Sequence, residues 1–245
     1  MTTFPSPELK MTNKPLFSII IPTYNRAVLV GRAIESVISQ TFKDWELIVV
    51  VDGSTDNTRE VVESYSDHRI KYTYQVNQEK CIARNTGISI ANGLYICFLD
   101  NDEYYLPFHL EEFVKVIVYN NNPVAMLISG LYIEEKGIRR EHPMFNADKE
   151  TALRFVWKTF IVPGSVCLHR DILKKYLFST KYYIWEDRHR WLRILTEFPL
   201  IQVRLYSNVL VEHKDRYTKL FYHRISLPNV RMYFNCIQNL FLTHG

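Results

Sequence analysis

The sequence predicts an α/β protein built on a mostly parallel sheet with helices on both faces. Three observations carry that reading. Short apolar, β-branched runs alternate with helical patterns four times in the first half of the chain, and such alternation winds a parallel sheet through right-handed crossovers. Most of the strand-like runs are apolar throughout, the pattern of buried strands. Acidic residues stand at the carboxyl ends of two of those runs, Asp52 and Asp100–Asp102, and that end is where such sheets bind their ligands.

Taken in order, residues 1–14 read as a disordered lead-in. FSIIIP (17–22) is the first buried strand. VLVGRAIESVISQ (28–40) then places Leu29, Ala33, Ile34, Val37 and Ile38 at helical spacing. WELIVVVD (45–52) is the second strand, and STDNTREVVESY opens a helix with Ser, Thr and Asp available as caps. RIKYTYQV (69–76) alternates as a half-exposed strand does. CIARNTGISIA (81–91) is helical, LYICFLD is the fourth strand, and LPFHLEEFVKVIVY is a helix with Pro107 near its first turn.

The second half is less regular. VAMLISGLYIEE (124–135) reads as a strand, KETALRFVWKTF as a helix, and VPGSVCLHRDILKKY as a Pro-Gly turn, an apolar stretch and a helix. YYIWEDRHRWLRILTEF is a helix with Trp191, Leu192, Ile194 and Leu195 inward. LIQVRLYSNVLVEH is strand-like, and LPNVRMYFNCIQNLFL is an amphipathic helix. The reading divides the chain into a first half at 15–120, a second half of the same domain at 121–225 and a C-terminal helix at 226–245.

Composition narrows the function. Of 245 residues, 47% are hydrophobic and 23% charged, which excludes wholesale disorder. The net charge of +4 divides into −4 over residues 1–130 and +8 over 131–245. A basic half suits an anionic partner such as a phosphate, an acidic glycan or a lipid surface. No block of five or six basic residues occurs, which argues against nucleic acid. Cys81, Cys97, Cys167 and Cys236 are widely spaced with no Cys-x-x-Cys pair. That pattern reads as a reduced, cytosolic protein without a zinc site. MTTFPSPELKMTNK lacks the apolar core of a signal peptide, and no run approaches the about 18–20 apolar residues that span a bilayer. No Gly-x-Gly-x-x-Gly follows the first strand, which disfavours a dinucleotide dehydrogenase.

The stretch YICFLDNDEYYLP (95–107) puts three acids in four positions directly after a buried strand. Alone it is equally an acidic surface turn or a place for a hard divalent cation, which takes a few protein carboxylates and fills its shell from substrate phosphates. Other segments bear on the choice. PTYNR (22–26) follows the first strand, VVDGSTDNT (50–58) the second, ARNTGISIANG (83–93) precedes the fourth, and WED (185–187) lies downstream.

With these five motifs in this order, the chain resembles the family 2 glycosyltransferases, strongly over about 17–118 and more loosely over 164–213. The resemblance implies the GT-A fold, an inverting sugar transfer from a nucleotide sugar (a UDP-hexose first) and a Mn²⁺ or Mg²⁺ cofactor. A glycan or lipid-linked acceptor, a cytoplasmic location and association with the inner membrane face are compatible with it. By the same resemblance the first half holds the donor and the second half the acceptor.

The resemblance also distributes roles. Asp52 reads the nucleotide base, Val51 standing where many relatives carry a further Asp. Pro22, Thr23, Tyr24 and Arg26 form the loop over the base, and Arg84 lines the nucleotide pocket. Where relatives carry Gly shortly before this segment, the chain has Glu79-Lys80-Cys81, with Lys80 either a phosphate contact or a surface residue. Asp102 is the chief metal ligand, with Asp100 and Asn101 near the ribose or metal and Glu103 either supporting the metal or capping the turn. His213 stands near the phosphates and metal. Asp187 is the base that takes the acceptor's proton, with Glu186 as second choice, and Gly164, Ser165 and Trp185 approach the acceptor. Two other readings stay open: a metal-dependent phosphohydrolase using the Asp-x-Asp pair, and a binding module of the same fold without turnover.

Overall fold

The computed structural model describes residues 14–181, 185–213 and Gln238. The lead-in (1–13) and the C-terminal amphipathic helix expected at 226–245, Gln238 apart, lie outside the described residues.

Four parallel strands open the chain. β1 (Phe17–Thr23), β2 (Trp45–Asp52), β3 (Ile70–Gln75) and β4 (Tyr95–Phe98) alternate with α1 (Ala27–Ile38), α2 (Thr58–Glu63) and α3 (Glu79–Ile90). The pleat sends successive side chains of a strand to opposite faces. Ile19, Ile21, Leu47 and Val49 therefore pack with α1 residues Val30, Ile34 and Val37, while Ile20, Ile48 and Val50 pack with Cys81 and Ala83 of α3. Both faces are covered, which is why β1 and β2 are unbroken apolar runs with every residue buried.

The acidic run does not end as a simple turn. A turn at Asp100–Asp102 leads into a three-residue strand, β5 (Glu103–Tyr105), before α4 (His109–Tyr119). Next come β6 (Met126–Glu135), β7 (Ile138–Glu141), α5 (Ala152–Lys158), a 3-10 turn at Pro163–Ser165, β8 (Val166–His169), α6 (Arg170–Leu173), α7 (Glu186–Ile194) and β9 (Leu200–Val211). Among the described residues these nine strands make one sheet in the order β3-β2-β1-β4-β8-β6-β9-β5, with β7 paired to β6.

The second half extends the parallel sheet with mixed pairing. β8 runs antiparallel between β4 and β6, β5 runs antiparallel to β9, and β6 is parallel to β9. The β6–β7 hairpin turns at Lys136 and Gly137, both at positive φ (52° and 80°), the backbone that a two-residue hairpin turn requires. The helix read over 182–198 is α7, which begins only after Trp185, itself left-handed at φ 57°.

Candidate active site

The strand ends β1, β2 and β4, the N-terminus of α3 and the N-terminus of α7 enclose a cleft of about 560 Å³. Its walls carry Pro22, Thr23, Tyr24, Arg26, Asp52, Arg84, Asp100, Asn101, Asp102, Glu186 and Asp187. Residues 165 positions apart in the chain thus face one space.

The loop PTYNR and the loop DGSTDNT are laced together. Asn25, at φ 49°, donates its N–H to Ser54 Oγ (3.0 Å), and its Oδ1 accepts from Thr55 N (2.8 Å). Arg26 N and Ala27 N donate to Thr58 Oγ1 (3.0 Å) and Asp56 Oδ2 (3.1 Å). The first N–H groups of a helix have no partner within it, and here those of the N-cap Arg26 and of Ala27, the first residue of α1, are met by side chains of the neighbouring loop. This explains the density of Ser, Thr, Asp and Asn at 54–58, and it fixes Thr23 and Tyr24 beside Asp52. Gly53 sits at φ 74°, where a Cβ would lie 2.6 Å from Asn77 N.

Asp52 is buried, and its Oδ1 accepts from Gln75 Nε2 (2.6 Å) and Gln78 N (2.9 Å). Thr23 Oγ1 is buried on the cleft wall with no hydrogen-bond partner among the described residues. Tyr24 is about half exposed. Glu79, the first residue of α3, adopts φ 74°, a left-handed backbone that a side chain resists.

The turn after β4 is held from two sides. Asn101 Nδ2 donates to Pro22 O (3.0 Å), and Arg32 Nη2 donates to Asp102 O (3.1 Å). Asp102 Oδ2 lies 3.1 Å from His213 Nε2. Asp100 is ion-paired instead, its Oδ1 2.5 Å from Arg84 Nη2. Glu103 is buried, with Oε2 accepting from Asn208 Nδ2 (3.1 Å).

A charged cluster crosses from α3 to α7. Glu186 is buried, with Oε1 2.5 Å from Lys80 Nζ and 3.6 Å from Arg84 Nη1. Lys80 is thus a wall residue with a partner rather than a plain surface lysine. Burial opposes the charge on Lys80 and on Arg84, but the carboxylates beside them outweigh it, and both pKa values are raised. Asp187 feels burial first and then repulsion from Glu186, and its pKa is pushed up to about 6.

The expected acceptor loop differs. Gly164 and Ser165 are buried beneath the cleft, a Cβ on Gly164 meeting Glu103 Oε2 at 2.4 Å and Asn208 Nδ2 at 2.7 Å. Phe160, Val162 and Pro163 line the cleft at this point. Trp185 packs against the second core cluster. The sequence reading also passed over Asn77, Gln75 and Gln78. Gln75 is Asp52's register partner on β3, so the end of the third strand was the available signal.

The Glycosyl transferase family 2 profile matches residues 18–177. The chain is 34% identical over 186 residues to the UDP-Glc:alpha-D-GlcNAc-diphosphoundecaprenol beta-1,3-glucosyltransferase WfgD of Escherichia coli, covering 74% of this chain and 70% of that one. The fold is similar to S. aureus TarS 1-349 in complex with UDP (TM-score 0.74, 19% identity, 94% of this chain and 66% of that one). It is also similar to the mannosyltransferase PcManGT of Pyrobaculum calidifontis in complex with GDP-Man and Mn²⁺ (TM-score 0.64, 18% identity, 93% and 70%). A cleft at the strand ends of this sheet, in a chain matched over these residues, makes the protein a glycosyltransferase that belongs to family 2.

Proposed function

We propose that the chain transfers a sugar, with inversion, from a nucleoside-diphosphate sugar, a UDP-hexose, to a hydroxyl of a glycan or lipid-linked acceptor. The observation that carries this is the division of the cleft walls. Thr23, Asp52 and Asp102 come from the strand ends, Arg84 from α3, and Asp187 from α7 with a carboxyl pushed up to about pKa 6. The WfgD relative, named for a UDP-Glc donor and a diphosphoundecaprenol-linked acceptor, supports the donor and acceptor classes. The second half's charge of +8 suits an anionic acceptor. Among the described residues no helix is long and apolar enough to cross a membrane, and association with a membrane surface belongs to this proposal.

In the reaction the acceptor O–H gives its proton to Asp187. The acceptor oxygen forms a bond to the anomeric carbon from the face opposite the diphosphate. The bond from that carbon to the phosphate oxygen breaks, and its electron pair leaves with the nucleoside diphosphate. A carboxylate near pKa 6 is a stronger base than an ordinary one and is still ionised at neutral pH. Lys80 and Arg84 hold Glu186 and Asp100 as fixed carboxylates and bring two cationic groups to the wall where a diphosphate would lie.

Asp102 and His213 are the residues that would hold a divalent cation. Asp102 Oδ2 and His213 Nε2, 3.1 Å apart, are two donor atoms of the kinds such ions take, and the rest of the shell would come from the donor's phosphates and water. A carboxylate with an imidazole favours Mn²⁺ over Mg²⁺, and the PcManGT complex contains Mn²⁺. When bound, the ion would offset the charge that develops on the leaving diphosphate.

The test is binding and transfer across a panel of nucleotide sugars with and without Mn²⁺. Mn²⁺-dependent binding of a UDP-hexose is the expected result. Phosphate release from simple phosphomonoesters without sugar transfer would contradict the proposal.

A further inference from the structure

The donor reading makes Asp52 the carboxylate that meets the base, but it does not say which base. Its surroundings do more. Oδ1 already accepts from Gln75 Nε2 (2.6 Å) and from Gln78 N (2.9 Å). Two donors on one carboxylate oxygen use the directions in which that oxygen accepts well. Both hydrogen bonds to the Asp52 carboxylate among the described residues end on Oδ1 and none on Oδ2, and Asp52 lines the cleft.

Gln75 is itself oriented. Thr86 Oγ1 donates to Gln75 Oε1 (2.7 Å), which turns the amide so that its NH₂ faces Asp52. The three residues form a chain from α3 through β3 to β2, and Asp52 and Gln75 are register partners. On the neighbouring strand Thr23, the register partner of Val51, brings a buried hydroxyl without a partner to the same wall.

The two kinds of base edge differ in what they ask of a carboxylate. Uracil presents one N–H between two carbonyl oxygens. Guanine presents two N–H donors side by side next to one carbonyl, and a carboxylate satisfies them with both oxygens at once. Asp52 has only one oxygen to give, and the Thr23 hydroxyl can donate to a flanking carbonyl.

Resting on the donor-site reading above, we infer that Gln75, latched by Thr86, is a specificity-determining residue. Its NH₂ adds to the Gln78 N–H on Asp52 Oδ1 and fills that oxygen, leaving a one-oxygen reader that accepts the single N–H of uracil and cannot chelate the paired N–H donors of guanine. Gln75 does not touch the sugar or the reacting atoms; it acts through Asp52.

The test uses UDP and GDP, each with Mn²⁺, titrated calorimetrically against the full chain and against Gln75→Met, which keeps the side chain's length and removes its N–H donors. Thr86→Val, which releases the amide without removing it, is the second variant and decides the matter should the first fail to fold. The wild type is expected to bind UDP at least about tenfold tighter than GDP, the scale of one well-made paired base contact. Both variants are expected to reduce that ratio several-fold, chiefly through tighter GDP binding. A ratio that stays unchanged in the variants while UDP still binds overturns the assignment of Gln75 and leaves the donor site standing. Preference for GDP in the wild type also overturns it. Binding of neither nucleotide overturns the donor-site reading, and this assignment with it.

Discussion

Lys80 Nζ lies 2.5 Å from Glu186 Oε1, so a lysine at the start of α3 neutralises one of two consecutive carboxylates at the start of α7. Arg84 approaches the same Glu186 from one helical turn further along α3. Glu186 is thereby committed to the cluster, and Asp187 keeps a raised pKa of about 6.

A pH dependence follows. In the proposed role of base Asp187 would act only when ionised, so kcat/KM should rise with pH through an apparent pKa of about 6 and level off above it. Lys80 lowers the Asp187 pKa. Lys80→Met should therefore move the rising limb to higher pH, by about one unit. A pH–rate profile of wild type and variant checks this, and a limb that stays in place would remove Lys80 from the electrostatics of the base.

Asp102 and His213, 3.1 Å apart, should set the metal dependence together. Asp102→Ala should abolish stimulation by Mn²⁺. His213→Ala should raise the Mn²⁺ concentration needed for half-maximal activity by about tenfold or more, the scale on which metal-site partners act. Mn²⁺ titration in the presence of UDP, followed by the loss of the free-ion paramagnetic signal, gives a readout independent of turnover.

Glu79 holds φ 74° at the first position of α3. Replacing it by glycine removes a backbone cost of about 1–2 kcal/mol but adds unfolded-chain entropy that offsets part of the gain. Glu79→Gly should stabilise the fold by up to about 1 kcal/mol, seen as a higher urea midpoint at unchanged slope.

Gly164 behaves oppositely. An added Cβ would lie 2.4 Å from Glu103 Oε2 and 2.7 Å from Asn208 Nδ2, two groups that are themselves buried and hydrogen-bonded to each other. Gly164→Ala should cost about 1–3 kcal/mol, and chemical denaturation measures it.

The sequence made the first half of this fold legible because its strands are covered on both faces. Ile19 to Ile21 and Leu47 to Val50 have no polar side to disguise them. Positions of Asp52, Asp100 and Asp102 followed, since a strand that ends abruptly in an acid marks its own carboxyl end. The second half was less legible for physical reasons. β5 is three residues long, and Glu103 reads as part of an acidic surface turn until Asn208, 105 positions away, is seen to hold it. β7 has every residue exposed and announces itself only through Lys136-Gly137. Lys80 could not be told from a surface lysine, because what distinguishes it is Glu186, and that contact exists only once α3 and α7 meet across the cleft. Gln75 likewise reads as one more polar residue of a half-exposed strand until Asp52 and Thr86 lie on either side of it.

In the proposed function Asp187 takes the acceptor's proton in a cleft whose strand ends bind the donor. The most direct measurement is Asp187→Asn, compared with wild type in steady-state transfer and in donor binding with Mn²⁺. Transfer is expected to fall by about 10²–10⁴-fold in kcat while the donor Kd stays within about twofold of wild type, because a base for the acceptor's proton is not among the sheet-end residues Thr23, Asp52 and Asp102 that the donor reading uses. Transfer that survives the substitution, or a loss of donor binding that matches the loss of transfer, would contradict it.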